Sequence, residues 1–185
     1  MDALTVPLTN QLLLLVAPHA AAALMLELAA RLALNGPVRV LDGGNRFNVY
    51  PLARALRRRT YALDAALARI HLARAFTCYQ LAGMLAEMPG DGRPTLVLDL
   101  LATFYDENVS LAEAQRLLQG CVPHLQRLCQ HAPVVVSAKP PAPLCPQRMP
   151  LLESLQDAAS QAWQLEALPA PAPPMLWDDL PQGGS

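Results

Sequence analysis

Short unbroken apolar runs and longer amphipathic stretches follow one another along the chain. Leu12-Leu-Leu-Leu-Val16 is apolar at every position and stops at Ala17-Pro18, which predicts a strand buried on both faces. An Ala/Leu-rich helix is expected from about Ala21 to Leu34, with Glu27 and Arg31 paired one turn apart and Asn35-Gly36-Pro37 as its stop. Val38-Arg-Val-Leu-Asp42 reads as a second strand ended by Gly43-Gly44, and Tyr50 to Arg59 as a short helix with Pro51 in its first turn. A third strand is expected over Ala68 to Ala73. Thr77-x-x-Gln80 then forms a capping box that opens a helix to about Met88. Thr95-Leu-Val-Leu-Asp99 is a fourth strand. Ser110-x-x-Glu113 caps a further helix, expected to break or kink at Gly120 and Pro123 before continuing to about Gln130, and Pro133 to Ser137 is a fifth strand. Strands and helices in strict alternation predict an α/β fold of three layers, α/β/α, with a mainly parallel central sheet. Ligands of such sheets sit at the carboxyl ends of the strands. Here those ends are residues 17–23, 42–48, 74–78, 99–107 and 137–139.

Composition narrows the picture. Of 185 residues 53% are apolar and 16% charged, too apolar for a disordered chain, and the net charge of −1 does not suit a strongly electrostatic nucleic-acid binder. The cations are thirteen Arg and one Lys, Lys139. Residues 1–60 carry seven Arg against three acids, and residues 101–185 carry four basic against eight acidic residues, a division that suits self-association or a partner. No 18-residue stretch is free of polar interruption, because Pro18, His19, Glu27 and Arg31 divide the first apolar region, so no membrane contact is expected. The four cysteines are expected to be reduced thiols in a cytoplasmic protein.

The order of elements resembles the ATPase core of the RecA/RadA-type recombinases over roughly residues 10–168. Asp42 to Arg54 resembles the second-strand segment of that family, Arg74 to Gln80 the segment after its third strand, and Leu96-Val-Leu-Asp99 its Walker B strand. Val134 to Ser137 resembles the next core strand, and Leu151 to Leu168 the helix and sixth strand that follow. The resemblance implies a RecA-like fold with a phosphate-binding loop after the first strand. That loop requires G-x-x-x-x-G-K-[ST], in which the Lys reaches the terminal phosphates and the hydroxyl holds magnesium. The matching positions read Ala17-Pro18-His19-Ala-Ala-Ala22-Ala23-Leu24, so both glycines, the lysine and the hydroxyl are replaced. The position of the catalytic Glu is taken by Gly44. The resemblance therefore implies a catalytically inactive RecA-like protein, a pseudo-ATPase accessory in DNA recombination or repair. Its partner would be a recombinase-type or repair protein, or a second copy, with DNA as a further ligand. No cofactor is expected. ATP with magnesium belongs to an alternative, an atypical nucleotide-binding enzyme that uses Lys139 and the Gly43-Gly44 turn. A structural interaction domain unrelated to DNA is the third reading.

Several residues carry two readings each. Asp99 is a relic Walker B acid or a hydrogen-bonded strand end, and Asp42 is expected to accept N–H bonds from the Gly43-Gly44 turn. Gly43-Gly44-Asn45-Arg46 is an anion-binding nest or a tight connection whose glycines supply positive φ. Arg54, Arg57, Arg58 and Arg59 form the basic cluster, which meets phosphates, an acidic protein surface, or only solvent at a helix end. Cys121, His124, Cys129 and His131 lie along a helix and cannot readily converge on a metal, so none is expected. The thiol of Cys78 lies at a helix start, which would lower its pKa. Residues 1–168 are expected to form the RecA-like α/β domain, and residues 169–185 a Pro-rich, flexible C-terminal tail. In it Trp177 and Leu180 are expected either to dock on a partner or to fold back.

Overall fold

The computed structural model describes residues 10–166; Trp177 and Leu180 lie outside them. Six strands form one sheet, β1 (Leu12–Val16), β2 (Val38–Asp42), β3 (Ile70–Arg74), β4 (Thr95–Leu98), β5 (Val134–Ala138) and β6 (Gln161–Gln164). Their order is β3-β2-β4-β5-β1-β6, and every pair is parallel. Six helices connect them: α1 (Ala22–Asn35), α2 (Val49–Arg57), α3 (Leu63–Leu67), α4 (Cys78–Glu87), α5 (Leu111–Cys129) and α6 (Met149–Ala158). Helices α1 to α3 pack on one face of the sheet, over Leu13, Leu15, Val40 and Leu96. Helices α4 to α6 pack on the other, over Leu12, Leu14, Leu41 and Val97. Alternate residues of β1 thus feed two separate cores, which explains why the strand is apolar throughout.

Both predicted N-caps form, but the return half of each capping box is diverted: Gln80 Oε1 accepts from the Phe76 amide at 2.9 Å, and the Glu113 carboxylate accepts from Arg116. Thr77 Oγ1 accepts from the Gln80 amide at 3.2 Å, and Ser110 Oγ accepts from the Glu113 amide at 3.2 Å. The Glu27–Arg31 pair forms at 3.4 Å. Helix α5, in contrast, runs unbroken through Gly120 and Pro123. Its inner face, with Ala114, Leu118, Cys121, Leu125 and Leu128 buried, holds the axis across the proline, which points to solvent. Helix α3 and the 3-10 turn Leu100–Thr103 had no clear signal in the sequence. No helix among the described residues is long and apolar enough to cross a membrane.

Two buried arginines brace the molecule. Arg39, in the middle of β2, ion-pairs with Asp91 and donates to the Pro89 carbonyl at 2.8 Å. Arg148, at the start of α6, donates to the carbonyls of Phe104, Asp106 and Val109, and so holds the segment that follows β4.

Candidate functional site

The carboxyl edge of the sheet gathers the residues that the sequence singles out. β4 lies between β2 and β5, so Asp99 stands beside the Gly43-Gly44 turn. Asp99 is fully buried with φ of +48°, its amide donates to Ser137 Oγ at 3.0 Å, and its Oδ2 accepts from Arg46 Nε at 2.9 Å. Asp42 is equally buried. Its carboxylate accepts from the amides of Arg46 (2.8 Å) and Phe47 (3.0 Å) and from Arg74 Nε (3.2 Å). These donors lie beyond the Gly43-Gly44 turn, not within it, because Asn45, with φ of +54°, turns the next amides back onto the carboxylate.

The glycines also serve another purpose than expected. Neither has the left-handed backbone; Asn45 takes that conformation. A Cβ on Gly44 would lie 2.5 Å from Asp99 Cβ, and one on Gly43 2.8 Å from a Leu81 methyl, so the turn is glycine because Asp99 and Leu81 press against it. The Arg46 side chain that could have served an anion nest is spent on Asp99.

The loop after β1 lies two strands from Asp99, about 10 Å at ordinary strand spacing. It spans Ala17 to Ala21, and Ala20 and Ala21 both have left-handed φ, +50° and +48°. Alanine resists this conformation by roughly 1–2 kcal/mol per residue, so the loop follows a strained path at these two positions. Ala17, Pro18, His19, Ala22, Ala23 and Leu24 line a cavity of about 410 Å³ that Leu165 and Glu166 close from the other side. The loop offers neither an ammonium group nor a hydroxyl at the positions where triphosphate and magnesium need them. Lys139 is half-buried just past β5, where its carbonyl accepts from the Tyr105 hydroxyl at 3.0 Å. Burial, and then the nearby Asp99 charge, push the Tyr105 pKa far up, so this hydroxyl stays a proton donor. Two buried oxygens lack a hydrogen bond among the described residues, Asp99 Oδ1 and Thr103 Oγ1.

The basic cluster divides. Arg59 pairs with Glu27 and donates to the Ala55 carbonyl at 2.8 Å. Arg54, Arg57 and Arg58 are exposed and make no side-chain ion pair or hydrogen bond among the described residues. Cys78 is buried at the start of α4, and burial outweighs the helix amides, so its pKa is raised rather than lowered. Burial pushes the Cys121 thiol up to about 12 and the Cys129 thiol to about 11. Among the described residues no three Cys, His, Asp or Glu side chains converge on a point.

Arg39, Tyr105 and Arg148 escaped the sequence reading, and Arg74 entered it only as part of the segment after β3, without its bond to Asp42. Only Arg39 left a signal, as a charge inside an otherwise apolar strand. No family model matches the chain, and no curated protein shows significant similarity to it.

Proposed function

We propose that this protein is a RecA-like pseudo-ATPase, an accessory subunit of DNA recombination or repair that works by binding a recombinase-type or repair partner. One observation carries the reading. The acid at the Walker B-like position, Asp99, is sealed from solvent and already neutralised by the chain's own cation, Arg46. In an ATPase of this type the corresponding acid serves magnesium, and the facing loop supplies a lysine and a hydroxyl. Here the loop is built of alanine, proline, histidine and leucine, and the residues present do not fit a magnesium–nucleotide pair. The strand order supports the relation to that fold, since it sets the loop after β1 and the acid after β4 across one intervening strand.

Binding, the remaining role, has surface to use. β3 is an edge strand, with His71, Leu72 and Ala73 exposed, and beside it Met84 and Met88 line a groove of about 310 Å³. Arg54, Arg57 and Arg58 of α2, unpaired among the described residues, add a basic face.

The test is thermal denaturation of the purified chain with millimolar ATP and magnesium. A ligand at a hundred times its Kd stabilises the folded state by about 2.7 kcal/mol. The expected shift is under about 1 °C, and a rise of several degrees overturns the pseudo-ATPase reading. Co-elution with a purified recombinase-type ATPase in size-exclusion chromatography tests the accessory role, which fails if the two proteins elute separately at micromolar concentration.

A further inference from the structure

One loop at the carboxyl edge of the sheet is fixed from beneath. Arg148 is buried at the start of α6, and its guanidinium donates to three backbone carbonyls of the segment after β4, those of Phe104 (3.3 Å), Asp106 (3.0 Å) and Val109. No carboxylate pairs with it among the described residues. Burying a cation without a counter-ion costs stability, and what this one secures is the joint between residues 104–109 and the loop that leads into α6. The Cys145 thiol adds a contact to the Glu107 carboxylate at 3.3 Å, and the Cys145 amide closes a turn on the Ala142 carbonyl at 2.8 Å. Leu144 stands on this joint, 92% exposed, with Pro143 before it and Pro146 after it. Asp106 and Glu107 are exposed beside the loop. Hydrogen bonds from the Asn108 amide and side chain hold the Asp106 carboxyl below its ordinary range, so it stays ionised. The result is a fixed apolar knob flanked by two anions.

A surface of the opposite character lies on α2. Tyr50, Arg54, Arg57 and Arg58 recur at helical spacing and form an outward stripe opposite the buried Leu52, Ala55 and Leu56. Tyr50 is 82% exposed. The helices α1 to α3 carry two carboxylates, Glu27 and Asp64, and Glu27 is already held by Arg31 and Arg59. Arg54 and Arg58, with Leu26, Pro51 and Ala55, line a cavity of about 240 Å³ between α1 and α2. Guanidinium groups beside a tyrosine, a proline and a cavity suit an acidic, apolar knob. Within one chain the two surfaces cannot meet. Helix α2 packs over one face of the sheet, whereas α6, which the loop enters, packs over the other. Leu144 is left in solvent, and a second molecule is needed to cover it.

We propose that this protein self-associates through these two surfaces: Leu144 and its neighbouring prolines seat against Tyr50 and Pro51 at the α1–α2 cavity of a second copy, while Asp106 and Glu107 meet Arg54, Arg57 and Arg58 of that copy. Each molecule contributes one knob and one seat, so assembly continues past two copies unless it closes on itself. The contact goes beyond the accessory role above and needs neither nucleotide nor a recombinase-type partner.

The experiment is analytical ultracentrifugation of the full chain at low salt, in tenfold steps of concentration up to the submillimolar range. The weight-average mass of wild type is expected to reach at least twice that of the monomer, and to fall back when salt is raised. Arg54→Glu/Arg58→Glu and Glu107→Arg/Leu144→Arg should each stay monomeric. All four side chains are exposed, so an unchanged melting temperature in each variant ties the loss to the contact. An equimolar mixture of the two variants should associate again, because each retains the half that the other has lost. A monomeric wild type overturns the proposal, as does a variant that associates like wild type or a mixture that stays monomeric. If Leu72→Lys abolishes an association that the other variants leave intact, the β3 edge is the contact and the proposal fails. It fails too if Arg54→Glu/Arg58→Glu loses binding to a 20-nucleotide oligothymidylate while self-association is unchanged, since α2 then belongs to nucleic acid.

Discussion

Gly44 and Gly83 are both glycines, yet their surroundings set opposite expectations. A Cβ on Gly44 would fall inside the Asp99 side chain, whereas one on Gly83, exposed within α4, meets nothing within 4 Å. Gly44→Ala should destabilise the fold by about 1–3 kcal/mol through overpacking, and Gly83→Ala should stabilise it by about 0.5–1 kcal/mol through helix propensity. Urea denaturation of the two variants beside wild type decides both. Arg46→Ala should cost about 1–3 kcal/mol in the same assay, because it strands a buried carboxylate. The cost falls short of a fully buried pair, since the Arg46 side chain is 31% exposed. Asp42 and Asp99 were legible as strand-end acids from their position after apolar runs. Their partners were not, because Arg46 reaches across 53 residues of sequence to a neighbouring strand and leaves no local periodicity.

At the scale of elements, legibility followed how local the cause is. The N-caps at Thr77 and Ser110 and the β1, β2, β4 and β5 runs depend on neighbours in sequence, and they formed where expected. Helix α5 crosses Pro123 because a tertiary contact, the buried stripe from Ala114 to Leu128, outweighs the local break. The start of α1 shows tertiary control in the other direction. Its N-cap, Ala21, is left-handed and makes no side-chain capping bond, so the helix begins at a cost. Ala21→Gly should remove that strain and raise stability by about 0.5–1 kcal/mol, or roughly 2–4 °C in melting temperature, even though glycine ordinarily weakens a helix start relative to a capping residue. A fall in melting temperature would mean that the strain is absent. The candidate site was legible as an absence, the missing glycines, lysine and hydroxyl. The left-handed backbone at Ala20 and Ala21 was not, since side-chain identity does not report φ.

Among the described residues the sheet has two unpaired edges, β3 and β6. β3 presents Leu72, 42% exposed, along an open row of backbone donors and acceptors. Leu72→Lys should leave the unfolding free energy within about 0.5 kcal/mol and lower concentration-dependent light scattering on heating. Unchanged scattering would place aggregation elsewhere. The parallel α/β class was legible from alternation alone, but the strand order was not, because only long-range register decides which strands are neighbours. That order has a consequence during synthesis. β1 is the first strand of the sheet to leave the ribosome, yet both of its neighbours, β5 and β6, are encoded more than a hundred residues later. At about 5–20 residues per second, Leu12 to Val16 waits roughly 6–24 s for Ala138 to be made. Five consecutive Leu and Val residues are held unpaired for that interval, so a strand buried at every position in the finished protein is one the nascent chain must be shielded longest to keep.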